Sequence, residues 1–192
     1  MNPLIGPAGK QAAFLVEQFC REQSTAVDQL GKQLAQLFAE GGQLLTAGTG
    51  LLQFVAQLIA AQFAYRLDFE RPVLPAVCLG GDAVLTAVMA SSGSYEQIFL
   101  RHYRTLASQR QMLLLLSDGQ ANPALERLRD ELLGQDQTVV LLSGSGREDP
   151  LFCDEIEICL KFGTGSMARQ VELMQFTGHL LCELVEAELF PG

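Results

Sequence analysis

Four short apolar runs, residues 43–47, 74–79, 112–116 and 138–142, recur along the chain, and each ends in a turn that carries Gly or Ser. Runs of this length with almost no polar alternation read as strands buried on both faces. Only helices laid over each side of a parallel sheet supply that burial. A fifth, weaker run lies at residues 155–160. Helical patterns alternate with the runs at 51–65, 95–106 and 123–133, and Asn122-Pro123 reads as an N-cap followed by proline at the first helical position.

A long first helix is expected from residue 10 to 40, because Val27, Leu30, Leu34 and Leu37 recur at helical spacing and Gly41-Gly42 stops them. The last helix, 166–189, is apolar on most sides, with Val171, Leu173, Met174, Phe176, Leu180, Leu181, Leu184 and Val185. A helix with so little polar face is central or covered by another subunit. The expected fold is α/β, a three-layer αβα sandwich around a five-stranded parallel sheet. Its 192 residues suit one domain, 1–192, with 1–40 as a helical segment used in oligomerisation and 41–192 as the core.

Net charge is −9 with only 13 Lys+Arg, so direct binding to nucleic-acid phosphates is not expected. No apolar run reaches the roughly 20 residues of a membrane span, and no signal-peptide pattern opens the chain. The expected location is cytoplasmic, without membrane contact. The five cysteines, Cys20, Cys78, Cys153, Cys159 and Cys182, are scattered in apolar contexts without CxxC spacing. They read as buried thiols rather than as disulfides or metal ligands.

Ligands of open parallel sheets sit beyond the carboxyl ends of the strands. Five loops meet there: 48–52, 80–82, 117–122, 143–146 and 163–166. Their glycines permit close backbone approach, and helix N-termini offer free N–H groups to an anion; ordinary strand-to-helix connections have the same look.

Several segments carry a resemblance to a known family: Glu70-Arg71-Pro72 with Leu74-Pro75-Ala76, Asp82 with Leu85-Thr86-Ala87, Tyr95-Glu96-Gln97-Ile98-Phe99, Ala168-Arg169, and the stretch from Gly178-His179 to Glu186. The chain resembles the sugar isomerase (SIS) domain family, in the branch of phosphoheptose isomerase and the DnaA initiator-associating protein DiaA. The resemblance implies a flavodoxin-like SIS fold, a homo-tetramer, and a cleft for a sugar phosphate at Thr49, Leu52, Asp82, Ser117, Asp118, Ala121 and Ser166. In active members a helical His and Glu, then a Gln and a His on the last helix, supply metal ligation and proton transfer. Carried onto this chain, those positions read Leu58, Gln62, Val171 and His179. Only His179 matches, so no catalytic set is intact. Zinc is expected in active members only, and neither metal nor cofactor is expected here.

Proton transfer between the carbons of an aldose and a ketose needs a base with an accessible pKa, which the Gln62 amide lacks. Leu58 and Val171 offer a metal no lone pair. Asp118 stands where the family binds phosphate, and at ~4 Å each charge pair would oppose a phosphate by about 4 kcal/mol at an effective dielectric near 20. It reads either as an internal negative charge held by N–H groups or as a solvent-facing turn residue. His102 reads as a surface helix residue. His179, alone among apolar residues, reads as a hydrogen-bonded relic, with Glu172 seven positions earlier as the nearest carboxylate.

The expected function is noncatalytic: an oligomeric interaction or regulatory protein. The ending Leu189-Phe190-Pro191 resembles that of the initiator-associating protein, whose Leu-Phe pair contacts the replication initiator DnaA. Leu189 and Phe190 are thereby the expected protein contact. The alternatives are a sedoheptulose 7-phosphate isomerase completed by other groups, and a sensor of another sugar derivative using Thr49, Ser117, Ser143, Thr164 and Ser166.

Overall fold

The structure is a computed structural model, and it describes residues 2–106 and 110–191. In chain order the elements are α1 (Ile5–Ala39), β1 (Gln43–Gly48), α2 (Leu51–Ala64), β2 (Ala76–Cys78), α3 (Ala83–Ser91), α4 (Ile98–Thr105), β3 (Gln111–Ser117), α5 (Pro123–Leu133), β4 (Thr138–Ser143), β5 (Ile158–Lys161) and α6 (Met167–Leu189). Short 3₁₀ turns occupy Tyr95–Gln97 and Gly146–Glu148. The five strands pair in parallel in the order β2-β1-β3-β4-β5, which is the flavodoxin-like order.

Strand side chains alternate between two cores, as the two-residue period of a strand requires. Leu44, Leu114, Leu116, Val140, Leu142, Ile158 and Leu160 face α1, α2 and α6. Leu45, Leu113, Leu115, Val139 and Leu141 face α4 and α5 with Met89 of α3. The sheet is therefore sandwiched between helices, and its central strand β3 is buried at every position.

Besides the fifth strand, which begins at Ile158 rather than at residue 155, three features depart from the sequence reading. The first helix begins at Ile5 rather than at residue 10, and Pro7 does not break it because the N–H groups of a first turn have no intrahelical acceptor. Residues 2–11 are all exposed, and Phe19 is the first buried side chain of this helix. The N-terminal turns of α1 therefore project as an arm bearing Leu4, Ile5 and Phe14, each at least 60% exposed. The second departure is α3, a helix that the apolar runs do not announce. The third is β2, cut to three residues.

The last helix is apolar for a reason internal to the chain. Leu173, Met174, Leu181, Cys182 and Val185 of α6 are buried, while Val171, Phe176, Leu180 and Leu184 are partly buried against the same core. Gly178 lets α2 come close, since a Cβ there would meet Ile59 Cγ1 at 2.5 Å. Much of the cover thus comes from α1 and α2 of the same chain.

One buried ion pair fixes α2 against α6. The Arg71 side chain is 0% exposed, and its Nε donates to Glu186 Oε1 at 2.6 Å. Its other nitrogens donate to the carbonyls of Phe63 (3.0 Å), Gln62 (2.9 Å) and Pro72 (3.0 Å). Two of these carbonyls belong to the last turn of α2, which has no intrahelical donors for them. Glu186 also accepts from the Leu67 N–H at 3.2 Å.

Candidate functional site

The carboxyl ends of the strands bring together Gly48, Cys78, Ser117, Ser143 and Lys161. β1 leaves the sheet through Gly48-Thr49-Gly50 straight into α2. A Cβ on Gly48 would lie 2.8 Å from the Leu52 backbone, so only glycine permits this close passage. Gly50 sits at φ +55° as the residue before the helix, in the left-handed region that glycine favours. No side chain caps this helix N-terminus.

Two cavities flank the point where strand order reverses. The first, about 190 Å³, is lined by Thr49, Gln53, Gly80, Thr86, Tyr95 and Phe99 with their neighbours. Its floor is closed by Gln53, whose Oε1 accepts from the Gly48 N–H at 3.2 Å while Nε2 donates to the Leu79 carbonyl at 2.7 Å. The side-chain amide continues the hydrogen bonding between β1 and the segment after β2, where the shorter strand has stopped. The second cavity, about 410 Å³, opens between the loops after β3, β4 and β5, with Asp118, Ser145, Glu148, Lys161, Thr164 and Gln170 in its wall.

Of the expected cleft residues Thr49 lines the first cavity and Asp118 the second, while Leu52, Asp82, Ser117, Ala121 and Ser166 line neither. Thr49 is half-buried at the first cavity and Asp118 at the second. Leu52 belongs to neither cavity's lining. It is 0% exposed and packed in the core, because the first turn of α2 points it inward. Asp82 is exposed and caps α3, its Oδ1 accepting from the Leu85 N–H at 2.8 Å. Ser117 is 1% exposed and its Oγ accepts from the Gly119 N–H at 3.1 Å. Ala121 is exposed beside Asn122, which accepts from Ala124 and Leu125 N–H at 3.1 Å each and caps α5.

Ser166 is exposed at the start of α6 without a side-chain cap bond, and its N–H donates to Thr164 Oγ1 at 3.2 Å. Ser143, weighed as a sugar contact, is consumed internally. It is 0% exposed, donates to Asp149 Oδ2 at 2.5 Å, and accepts from the Ser145 and Gly146 N–H groups.

Asp118 holds one N–H partner, Gln120, at 3.0 Å from Oδ1. That bond is a local turn rather than a hold on the α5 N-terminus, which Asn122 already caps. His102 is not a plain surface residue: it is half-buried, and Nδ1 accepts from the Gly80 N–H at 3.0 Å, which places the ring proton on Nε2. His179 bonds through Nε2 to the Gln175 amide at 2.6 Å rather than to Glu172, which pairs with Arg169. The sequence reading missed Gln53 and Gln170; an amide leaves no spacing signal, since its role depends on which backbone groups lack partners.

The residues at the four positions tied to metal ligation do not fit a metal. Leu58 is exposed and apolar, Val171 is packed against the core, Gln62 Oε1 is buried with no donor, and His179 is the one imidazole. Among the described residues no group of three or more His, Cys, Asp or Glu side chains could hold a metal ion. The thiols of Cys78, Cys159 and Cys182 are pushed up to about 11, mainly by burial, which leaves little thiolate at neutral pH. Cys182 is buried and the other four cysteines are half-buried; all five are free.

The SIS domain family model matches residues 9–130. The chain belongs to the SIS domain family. Among its SIS relatives, a phosphoheptose isomerase of Solidesulfovibrio magneticus is 30% identical over 193 residues, covering 98% of this chain and 91% of the relative. The DnaA initiator-associating protein DiaA of Yersinia enterocolitica is 27% identical over 167 residues, covering 86% of this chain and 85% of the relative. The fold also matches a solved phosphoheptose isomerase of Francisella tularensis, with a TM-score of 0.83 at 21% identity over 96% of this chain and 98% of that one. The SIS fold expected from the sequence, with its five parallel strands and long first helix, is the one observed. No helix among the described residues is long and apolar enough to cross a membrane.

Proposed function

We propose that this SIS-domain protein is noncatalytic and acts as a homo-oligomer that binds another protein, with the replication initiator DnaA as its partner. The observation that carries the reading is chemical. Where active relatives place two His, a Glu and a Gln, this chain holds Leu58, Gln62, Val171 and His179, and the only imidazole is bonded to the Gln175 amide. Leu58, Gln62 and Val171 offer no group that can take up a proton in an aldose–ketose transfer, which leaves His179 without the other members of the set. The relatives named DiaA support the choice of partner.

The contact surface differs from a free apolar tail. Leu189 and Phe190 are half-buried against the core, and Phe190 meets Phe69 edge to face with ring centroids 6.5 Å apart. Phe69, 43% exposed, thus joins the pair in one aromatic patch. Several copies of the patch on one oligomer would add avidity to a weak contact.

The second reading, an active sedoheptulose 7-phosphate isomerase or phosphosugar binder, is favoured by the relatives named phosphoheptose isomerase. One experiment separates the two. Purified protein is assayed with sedoheptulose 7-phosphate and zinc, and in parallel used to capture DnaA with wild type and with Phe190→Ala. We expect no turnover, capture by wild type, and capture reduced several-fold in the variant. Turnover that disappears in His179→Ala would establish the isomerase, and absence of capture by wild type would remove DnaA.

A further inference from the structure

We propose that α2 packs against α2 of a second copy of this chain, about a two-fold axis near Leu58. This pairing rests on the homo-oligomer proposed above and gives it an interface. α2 has two apolar faces. Leu52, Val55, Ile59 and Phe63 are buried in the core of their own chain. Leu51, Phe54, Leu58 and Ala61, with Tyr65 just past the last turn, lie along the other side and are all exposed. Their steps of three and four residues are those of the a and d positions of a heptad, the pattern by which one helix seats its side chains between those of another. A helix apolar on both faces is covered on both.

Charge selects the occupant. From Leu51 to Tyr65 there is no Asp, Glu, Lys, Arg or His, in a chain of net charge −9. Two copies therefore repel over much of their surfaces and meet with least opposition along this stretch. A basic partner would be drawn to the acidic surface elsewhere and would find nothing to pair with here. The order of side chains is also self-complementary. About a two-fold axis at Leu58, antiparallel copies set Phe54 against Ala61 of the partner subunit, large against small, and Leu51 against Tyr65 of the partner subunit. The start of α3 widens the surface. A Cβ on Gly81 would come within 3.3 Å of Nε2 of Gln57, the helix-surface neighbour of Phe54 and Ala61, and the exposed Val84 and Val88 follow. Leu51, Phe54 and Tyr65 are each about two-thirds exposed. At about 100 Å² for each such side chain, the seam and these valines approach the roughly 800 Å² that one partner buries in a standard interface.

The test is light scattering of full-length Leu58→Glu and Leu58→Lys, each alone and the two mixed in equal amounts. Like charges brought face to face at the axis should part the copies, so each variant alone is expected to lose at least half the mass of the wild-type assembly. The mixture should regain that mass, because opposite charges then face each other. Only contact of this helix with its own counterpart gives that rescue. Unchanged mass in both variants, or a mixture that stays apart, would overturn the pairing while the wild type remains an oligomer; a monomeric wild type would remove the homo-oligomer and the pairing with it. Leu58→Cys supplies a second readout should the charged variants fail to fold. Mild oxidation should join it into a covalent dimer that the wild type, with its five native cysteines, does not form. Absence of that dimer counts equally against the pairing.

Discussion

Arg71 and Glu186 form a buried ion pair, and their worth lies in what each would leave behind. Removing the guanidinium strands a carboxylate that is 4% exposed and frees carbonyls at the end of α2. Breaking a buried pair from one side typically costs about 3–5 kcal/mol, whereas replacing both partners with apolar residues costs far less. Arg71→Met is therefore expected to lose about 3–5 kcal/mol in urea denaturation, and Arg71→Met/Glu186→Leu to lose less than the sum of the two single changes. A single-variant loss below about 1 kcal/mol would mean that water already reaches the pair. Residues of this kind are hard to read in sequence, since nothing in Glu70-Arg71-Pro72 says that the arginine turns inward towards a carboxylate 115 positions away.

The elements divide by how much of their pattern reflects burial. α5 was legible to the residue, because Asn122 and Pro123 mark its start by local chemistry alone. Asn122→Ala removes the acceptor of two N–H groups and should lower stability by about 1 kcal/mol, measured as a fall in the urea midpoint at unchanged slope. No change in midpoint would show that solvent replaces the cap. α3 was illegible for the opposite reason. Its apolar residues form no stripe, since Met89 is its only buried side chain and Val84 and Val88 remain 74% and 57% exposed. Periodicity reports which face is covered, and here the chain covers almost none of the helix. β2 shortened because its run begins at Leu74-Pro75, and proline has no N–H to give to the ladder.

At the scale of the molecule, the apolar arm of α1 and the exposed Leu51 and Phe54 of α2, 67% and 66% exposed, leave surface that this chain does not cover. Surface of this kind is characteristic of subunit contacts. Light scattering at micromolar concentration should return a dimer or larger species, with a tetramer expected, and deletion of residues 2–16 should lower the mass. A monodisperse monomer of full-length protein would refute the assembly. The sequence told which loops meet at the carboxyl end of the sheet, because buried runs alternating with helices make a parallel sheet whose strands all end on the same side. It did not tell that the cleft is two cavities, since that depends on how Gln53 and Gln170 satisfy backbone groups. Leu52 carries a consequence for any redesign of this corner. Exchange of this fully buried leucine for a small hydroxyl-bearing residue should cost about 2–5 kcal/mol, as large-to-small core changes do, a large share of a domain's total stability. A polar ligand contact at this turn of α2 cannot be installed by one substitution without loosening the core that the same residue helps to hold together.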